Sequence, residues 1–173
     1  MIELLRRRRT QRGYTGEKIS QDHIELLKEA VLRSPSSRSI KPWEFIFVDD
    51  PDLLLKLSQC KPSGSKFLKK AALGIVICGD EKQSDAWVED CSIASILAQL
   101  TAESLGLGSC WIQIRMRQHE SGDSAESHIQ ELLGIPKHVR VESIISIGHP
   151  ADDLPGHPTD SLDFSKIRRN RYQ

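Results

Sequence analysis

Between Val88 and Leu105 the only charged residues are Glu89, Asp90 and Glu103, and all three sit near the ends of the stretch. Ala94, Leu97, Ala98, Thr101 and Leu105 fall on one helical face, and Ile93, Ile96 and Leu100 on another. A helix that is apolar on most of its sides is buried on most of its sides. The pattern therefore predicts a central helix, shared with a second subunit. The alternative is a helix sandwiched between a sheet and other helices of the same chain. Either way, the rest of the fold has to be built around it.

The neighbouring segments supply the other layers. A short helix is predicted from Ile2 to about Arg9, and a second from the cap Ser20 to Arg33, where Ile24, Leu27 and Val31 repeat with a buried stripe's spacing. "WEFIFV" (43–48) reads as a strand, Asp50-Pro51 as a helix start, and "ALGIVICG" (72–79) as a fully buried strand. "SCWIQI" (109–114) reads as extended, Ser124 as the cap of a helix to Leu133, and "VESIISIG" (141–148) as a further strand. Helices and strands mix without a regular βαβ alternation, so the class is α+β. No internal repeat occurs. The chain reads as one domain over 1–173 with an extended tail from about 150 to 173, closing in "KIRRNRY" as an edge strand.

The totals weigh against several functions. Lysine and arginine number 24, aspartate and glutamate 24, so the formal net charge is zero. Nucleic-acid binding draws on a basic excess, which is missing. No stretch is long and apolar enough to span a bilayer, and none has the pattern of a signal peptide. Cys60, Cys78, Cys91 and Cys110 form no CxxC pair, which argues against zinc or dithiol chemistry and fits a reducing cytoplasm. The histidines show no metal-ligand spacing.

HExxH, the Walker loop, GxSxG and a strand-borne GxGxxG are all absent. "GLG" (106–108) reads best as a helix C-cap. Two features remain. Arg8, Arg9, Thr10 and Arg12 gather guanidinium forks and a hydroxyl that suit phosphate oxygens, although an arginine run is often only a solvated face. "SPSSRSIKPWEF" (34–45) is a stiff, hydroxyl-rich loop before a buried Trp and a strand, or else an ordinary connection.

Taken in order, "RRTQRGY", "SPSSRSIKPWEFIFV", "DCSIASILAQLTAESLGLGSCWI" and "LGIPKHVRVESIISIGHPAD" resemble the FMN-dependent nitroreductase family from Arg8 to about Pro150. No one motif is decisive; four in register are specific. The resemblance implies a mixed, mainly antiparallel sheet flanked by helices, with the central helix at a homodimer interface. It also implies FMN as cofactor and NADH or NADPH as electron donor, with nitroaromatics, quinones or flavins reduced in a ping-pong cycle.

By the same resemblance, Arg8, Arg9, Thr10 and Arg12 hold the FMN phosphate and ribityl chain, while Arg6 and Arg7 face solvent. Pro35, Ser36, Ser37 and Ser39 reach the flavin of the other subunit. Cys110, Trp111, Ile112 and Gln113 lie against the ring system, with a backbone N–H near Gln113 facing flavin N5. His157 stands near the position of a phosphate-binding cation, with Lys166 or Arg168 as substitutes. Ser39 and Lys41 depart from the family's Asn and Gln. A flavin-binding or sensor protein without turnover would carry the same motifs.

Overall fold

The computed structural model describes residues 1–172. Four strands, β1 (Trp43–Val48), β2 (Leu73–Asp80), β3 (Gly108–Gln113) and β4 (Val139–Gly148), form one antiparallel sheet in the order β1-β2-β4-β3. All eight residues of β2 are buried, as its apolar run requires. Its side chains alternate between two core layers: Leu73, Ile75 and Ile77 on one face, Val76 and Cys78 on the other.

The first face is covered by α2 (Gln21–Leu32) and α4 (Trp87–Ser104), the second by α3 (Pro51–Leu57) and α5 (Ala125–Leu133). Their starts follow the sequence chemistry. Ser20 Oγ accepts the His23 N–H, Asp50 Oδ1 accepts that of Leu53 with Pro51 in the first turn, and Ser124 Oγ accepts that of Ser127. Gly134 ends α5 in the left-handed region at φ 68°, and Gly106 follows α4 at φ 74°. Fully buried side chains such as Leu27, Leu57 and Ile129 each contribute about 1.5–3 kcal/mol.

The central helix α4 is sandwiched within its own chain against α2 and the sheet. It is not buried all round, however, since Ile93 and Ile96 stay 39% exposed. The first helix, α1 (Ile2–Arg7), stops two residues short of the expected end. Arg8 turns to extended φ/ψ and Thr10 pairs with Ser109 in a short parallel bridge. Arg7 is exposed yet not free, for its Nε lies 2.9 Å from Glu103 Oε1.

The expected edge strand over Lys166–Tyr172 does not form. A 3-10 turn covers Phe164–Lys166 and the following residues bend without pairing. Among the described residues no strand pairs with this segment, so its backbone has no ladder to join. Among the described residues, no helix is long and apolar enough to cross a membrane.

Candidate active site

Strand β3 is an edge of the sheet, and its outer side is only partly covered. Gln11 donates its N–H to Ser109 O at 2.9 Å, so Ser109 points outward. Backbone groups alternate along a strand, so Trp111 and Gln113 also present N–H and C=O outward, while Cys110 and Ile112 bond inward to β4. The Gln113 carbonyl accepts Lys61 Nζ at 2.9 Å. The Gln113 side chain is tied on both sides: its Oε1 accepts the Trp111 indole N–H at 3.0 Å, and its Nε2 donates to Arg115 O at 3.1 Å. What is left is a short length of exposed edge carrying fixed backbone donors.

The segment that follows α1 reaches one end of this edge because Gly108 lets it in. A Cβ on Gly108 would stand 2.7 Å from the Gln11 side chain. Extended chain sends alternate side chains to opposite sides. Arg8 and Arg12 come near the Cys110 thiol, and Arg12 lies 5.9 Å from the centre of the Phe67 ring. Burial pushes the Cys110 thiol up, while Arg12, Lys61 and Arg8 pull the other way. Among the described residues, Arg8, Arg12 and Lys61 form no ion pair with a carboxylate. Two arginine forks without acidic partners and a threonine hydroxyl could hold a phosphate.

Arg9 and Gln11 turn the other way. They line a hollow of about 550 Å³ with Arg7, Glu103 and Asp152, and Arg9 Nη1 lies 2.9 Å from His157 Nδ1. Arg9 and His157 are thus brought together, but on the far side of the segment from Arg8 and Arg12. The side chains of Cys110 and Ile112 are buried, so only the backbone of Trp111 and Gln113 borders the open edge.

The Pro35–Ser39 loop lies before β1, at the opposite edge of the sheet from β3. It is held in an unusual conformation. Arg38, Ser39 and Lys41 all have positive φ, at 52°, 56° and 57°. Ser36 Oγ accepts the Lys41 N–H at 2.8 Å, and Asp90 Oδ1 on α4 accepts the Ser37 N–H at 2.7 Å. Asp90 is 2% exposed, and its Oδ2 has no partner.

Two residues of this arrangement escaped the sequence. Asp90 had a signal, as a charge inside an otherwise apolar helix. Lys61 had none, because "CKPSG" has no periodicity and nothing in it predicts contact with Gln113.

One sheet covered by helices on both faces, an open β3 edge and cations without acidic partners at its start make an α+β fold whose site suits an anionic ligand. A family model described as the Nitroreductase family matches residues 5–63 and 56–149. The chain belongs to that family. An FMN-dependent nitroreductase from Clostridium difficile R20291 superposes with a TM-score of 0.97 at 41% identity, covering 99% of this chain and all (100%) of that one. A protein of Archaeoglobus fulgidus that carries the provisional name NADH dehydrogenase/NAD(P)H nitroreductase is 35% identical over 176 residues, spanning 99% of this chain and 98% of its own. The FMN reductase [NAD(P)H] of Bacillus subtilis is 29% identical over 196 residues, spanning 99% of this chain and 75% of its own.

Proposed function

We propose that the chain is an FMN-dependent oxidoreductase that takes hydride from NADH or NADPH and reduces small oxidised acceptors, namely nitroaromatics, quinones or flavins, in a ping-pong cycle. The observation that carries this reading is the open β3 edge between Arg8–Thr10–Arg12 and the outward N–H of Gln113, in a family whose members include proteins named for FMN. When bound, FMN supplies the two-electron chemistry, accepting hydride from the donor and passing it on.

Within this reading Arg8 and Arg12 grip the phosphate with charge-assisted hydrogen bonds, and the Thr10 hydroxyl adds a third donor. The Gln113 N–H is a preorganised donor for negative charge that gathers on the ring system. It stays aimed because Lys61 fixes the adjoining carbonyl and Trp111 fixes the side chain. Arg9, which lines the neighbouring hollow and meets His157, stands on the opposite side of the segment and takes no direct part in this reading.

The active unit is a homodimer in which Pro35, Ser36, Ser37 and Ser39 complete the site of the partner chain. Three observations support it. The loop and the arginines lie at opposite edges of one sheet, three strand spacings of about 4.8 Å apart. Ile93 and Ile96 leave an apolar stripe on α4. Leu162, Phe164 and Ile167 of the tail are exposed. A reducing, cytoplasmic setting suits four free cysteines.

The test is anaerobic. NADPH or NADH added to the purified, FMN-loaded protein should bleach the flavin absorbance, and a quinone or nitroaromatic added afterwards should restore it. Steady-state plots at several acceptor concentrations should be parallel. A flavin that neither nucleotide bleaches would leave a binding protein without turnover.

A further inference from the structure

Two residues past Arg12, Tyr14 turns its side chain into the core and is 5% exposed. A buried phenol oxygen costs stability unless it is hydrogen-bonded, and this one is bonded on two sides. Tyr14 Oη donates to Gln11 O at 2.8 Å and lies 2.8 Å from Ser146 Oγ on β4. A hydroxyl has one proton, so with Tyr14 donating to the carbonyl, Ser146 donates to Tyr14. Ser146 Oγ stands farther from its other acceptor, Cys110 O, at 3.2 Å. The order of donation therefore runs from Ser146 to Tyr14 to Gln11. Burial also raises the Tyr14 pKa above the ordinary tyrosine value, so the hydroxyl keeps its proton at neutral pH.

The surrounding backbone seats the ring. A Cβ on Gly148, at the end of β4, would stand 2.9 Å from Tyr14 Cδ1, so a larger residue there would displace it. Tyr14 pairs with Pro150 in an antiparallel bridge. The Thr15 N–H donates to His149 O at 3.0 Å, and the Ala151 N–H to Gly13 O at 3.1 Å. The far end of the arginine segment is thereby fixed to the chain leaving β4.

What Tyr14 holds is the peptide group that leads into Arg12. The Gln11 N–H donates to Ser109 O at 2.9 Å, and the Gln11 carbonyl accepts the Tyr14 hydroxyl. Both backbone polar groups of the residue between Thr10 and Arg12 are thus pinned, one to β3 and the other to the core. Arg12 itself is exposed, and among the described residues it has no carboxylate partner. Its neighbours are the Cys110 thiol and the Phe67 ring, both weak partners for a guanidinium. The direction of the side chain therefore depends on the backbone beneath it. A backbone ordered in advance lowers the entropy that binding an anion would otherwise cost.

Resting on the FMN reading above, we infer that Tyr14 is a positioning residue for the phosphate: its hydroxyl, ordered by Ser146, holds the Gln11–Arg12 peptide so that Arg12 is set for the anion before it arrives. The hydroxyl touches no ligand. It acts through Arg12, on the phosphate end of the cofactor and not on the ring system.

Titrations of the full chain, stripped of flavin, with FMN and with riboflavin test this in a double-mutant cycle. Tyr14→Phe keeps the ring and removes the oxygen. It should weaken FMN binding about tenfold, the scale of one hydrogen bond, and change riboflavin binding less than about twofold. In an Arg12→Ala background there is no guanidinium to position, and Tyr14→Phe should then change FMN affinity less than about twofold. Ser146→Ala should act in the same direction as Tyr14→Phe by a smaller factor, and it carries the same comparison should Tyr14→Phe fail to fold. Unchanged FMN affinity in Tyr14→Phe overturns the inference. So do equal losses for FMN and riboflavin, or a tenfold loss that persists without Arg12, since each would give Tyr14 a role in the fold alone. If the wild-type protein takes up no FMN, the cofactor reading fails. Inorganic phosphate titrated into the same variants then decides the positioning role, with a loss confined to proteins that keep Arg12 supporting it and no loss overturning it.

Discussion

Asp90 accepts the backbone N–H of Ser37 at 2.7 Å from within the central helix, so one buried carboxylate joins the dominant hydrophobic element to the loop proposed to serve the active site. Removing it should free the loop and orphan a donor. We expect Asp90→Ala to lose about 1–3 kcal/mol of stability in urea unfolding and at least roughly tenfold in activity. Asp90→Asn keeps the accepting oxygen and should fall between the two. An Asp90→Ala protein of wild-type activity and stability would show that the contact has no such role.

The same loop carries backbone strain that can be relieved. Ser39 sits at φ 56°, where Asn and Gly are tolerated far better than Ser. Ser39→Asn and Ser39→Gly should raise the melting temperature, by a stabilisation of up to about 1 kcal/mol. Differential scanning calorimetry checks it, and a fall in Tm for both would mean that the Ser39 side chain matters more than its backbone.

Glu142 gives stability a pH dependence of definite sign. Burial raises its carboxyl pKa above the usual value of 4.5, with Ser143, Ser92 and Arg115 acting in the opposite direction. The folded state therefore holds this proton more tightly than the unfolded chain. The contribution is fully present below pH 4.5 and is lost as pH rises through the folded-state pKa. Glu142→Gln should gain stability relative to wild type between pH 4 and pH 8, measured as the difference in urea midpoint. A difference that stays constant across that range would contradict the assignment.

Shared sites can be tested by complementation. Arg8→Glu/Arg12→Glu and Ser37→Trp/Ser39→Trp should each be inactive. Refolded together in equal amounts, half the dimers should be mixed, and one site in each mixed dimer should be intact. About a quarter of wild-type activity should return. No recovery, with mixed dimers demonstrated, would mean that the loop does not serve a partner's site.

The sequence carried the layers of this fold because their signals are local. β2 is an unbroken apolar run, α2 and α5 begin at Ser caps, and Gly106 and Gly134 are glycines where the chain turns left-handed. The tail reads as a strand in the sequence but forms none, because the alternation in "KIRRNRY" says nothing about whether a free sheet edge lies beside it. The arginine run reads in the sequence as one candidate anion site, and its division into two sides does not. Only the extended backbone after Arg7, bridged at Thr10 to Ser109, sends Arg8 and Arg12 one way and Arg9 the other. Lys61 and the Asp90–Ser37 bond depend on contacts 52 and 53 residues apart in the chain, which no pattern in one sequence encodes.

The central claim is that Arg8 and Arg12 hold the phosphate of an FMN lying along the β3 edge, and its most direct test is a pair of titrations. Stripped of flavin, the wild-type protein should take up about one FMN per chain and turn yellow. Arg8→Ala/Arg12→Ala should bind FMN on the order of a hundredfold more weakly, since each charge-assisted hydrogen bond contributes roughly 1.5–3 kcal/mol. Riboflavin, which lacks the phosphate, should bind both proteins nearly alike. A wild-type protein that stays colourless with FMN, or equal losses for FMN and riboflavin in the double variant, would contradict the account.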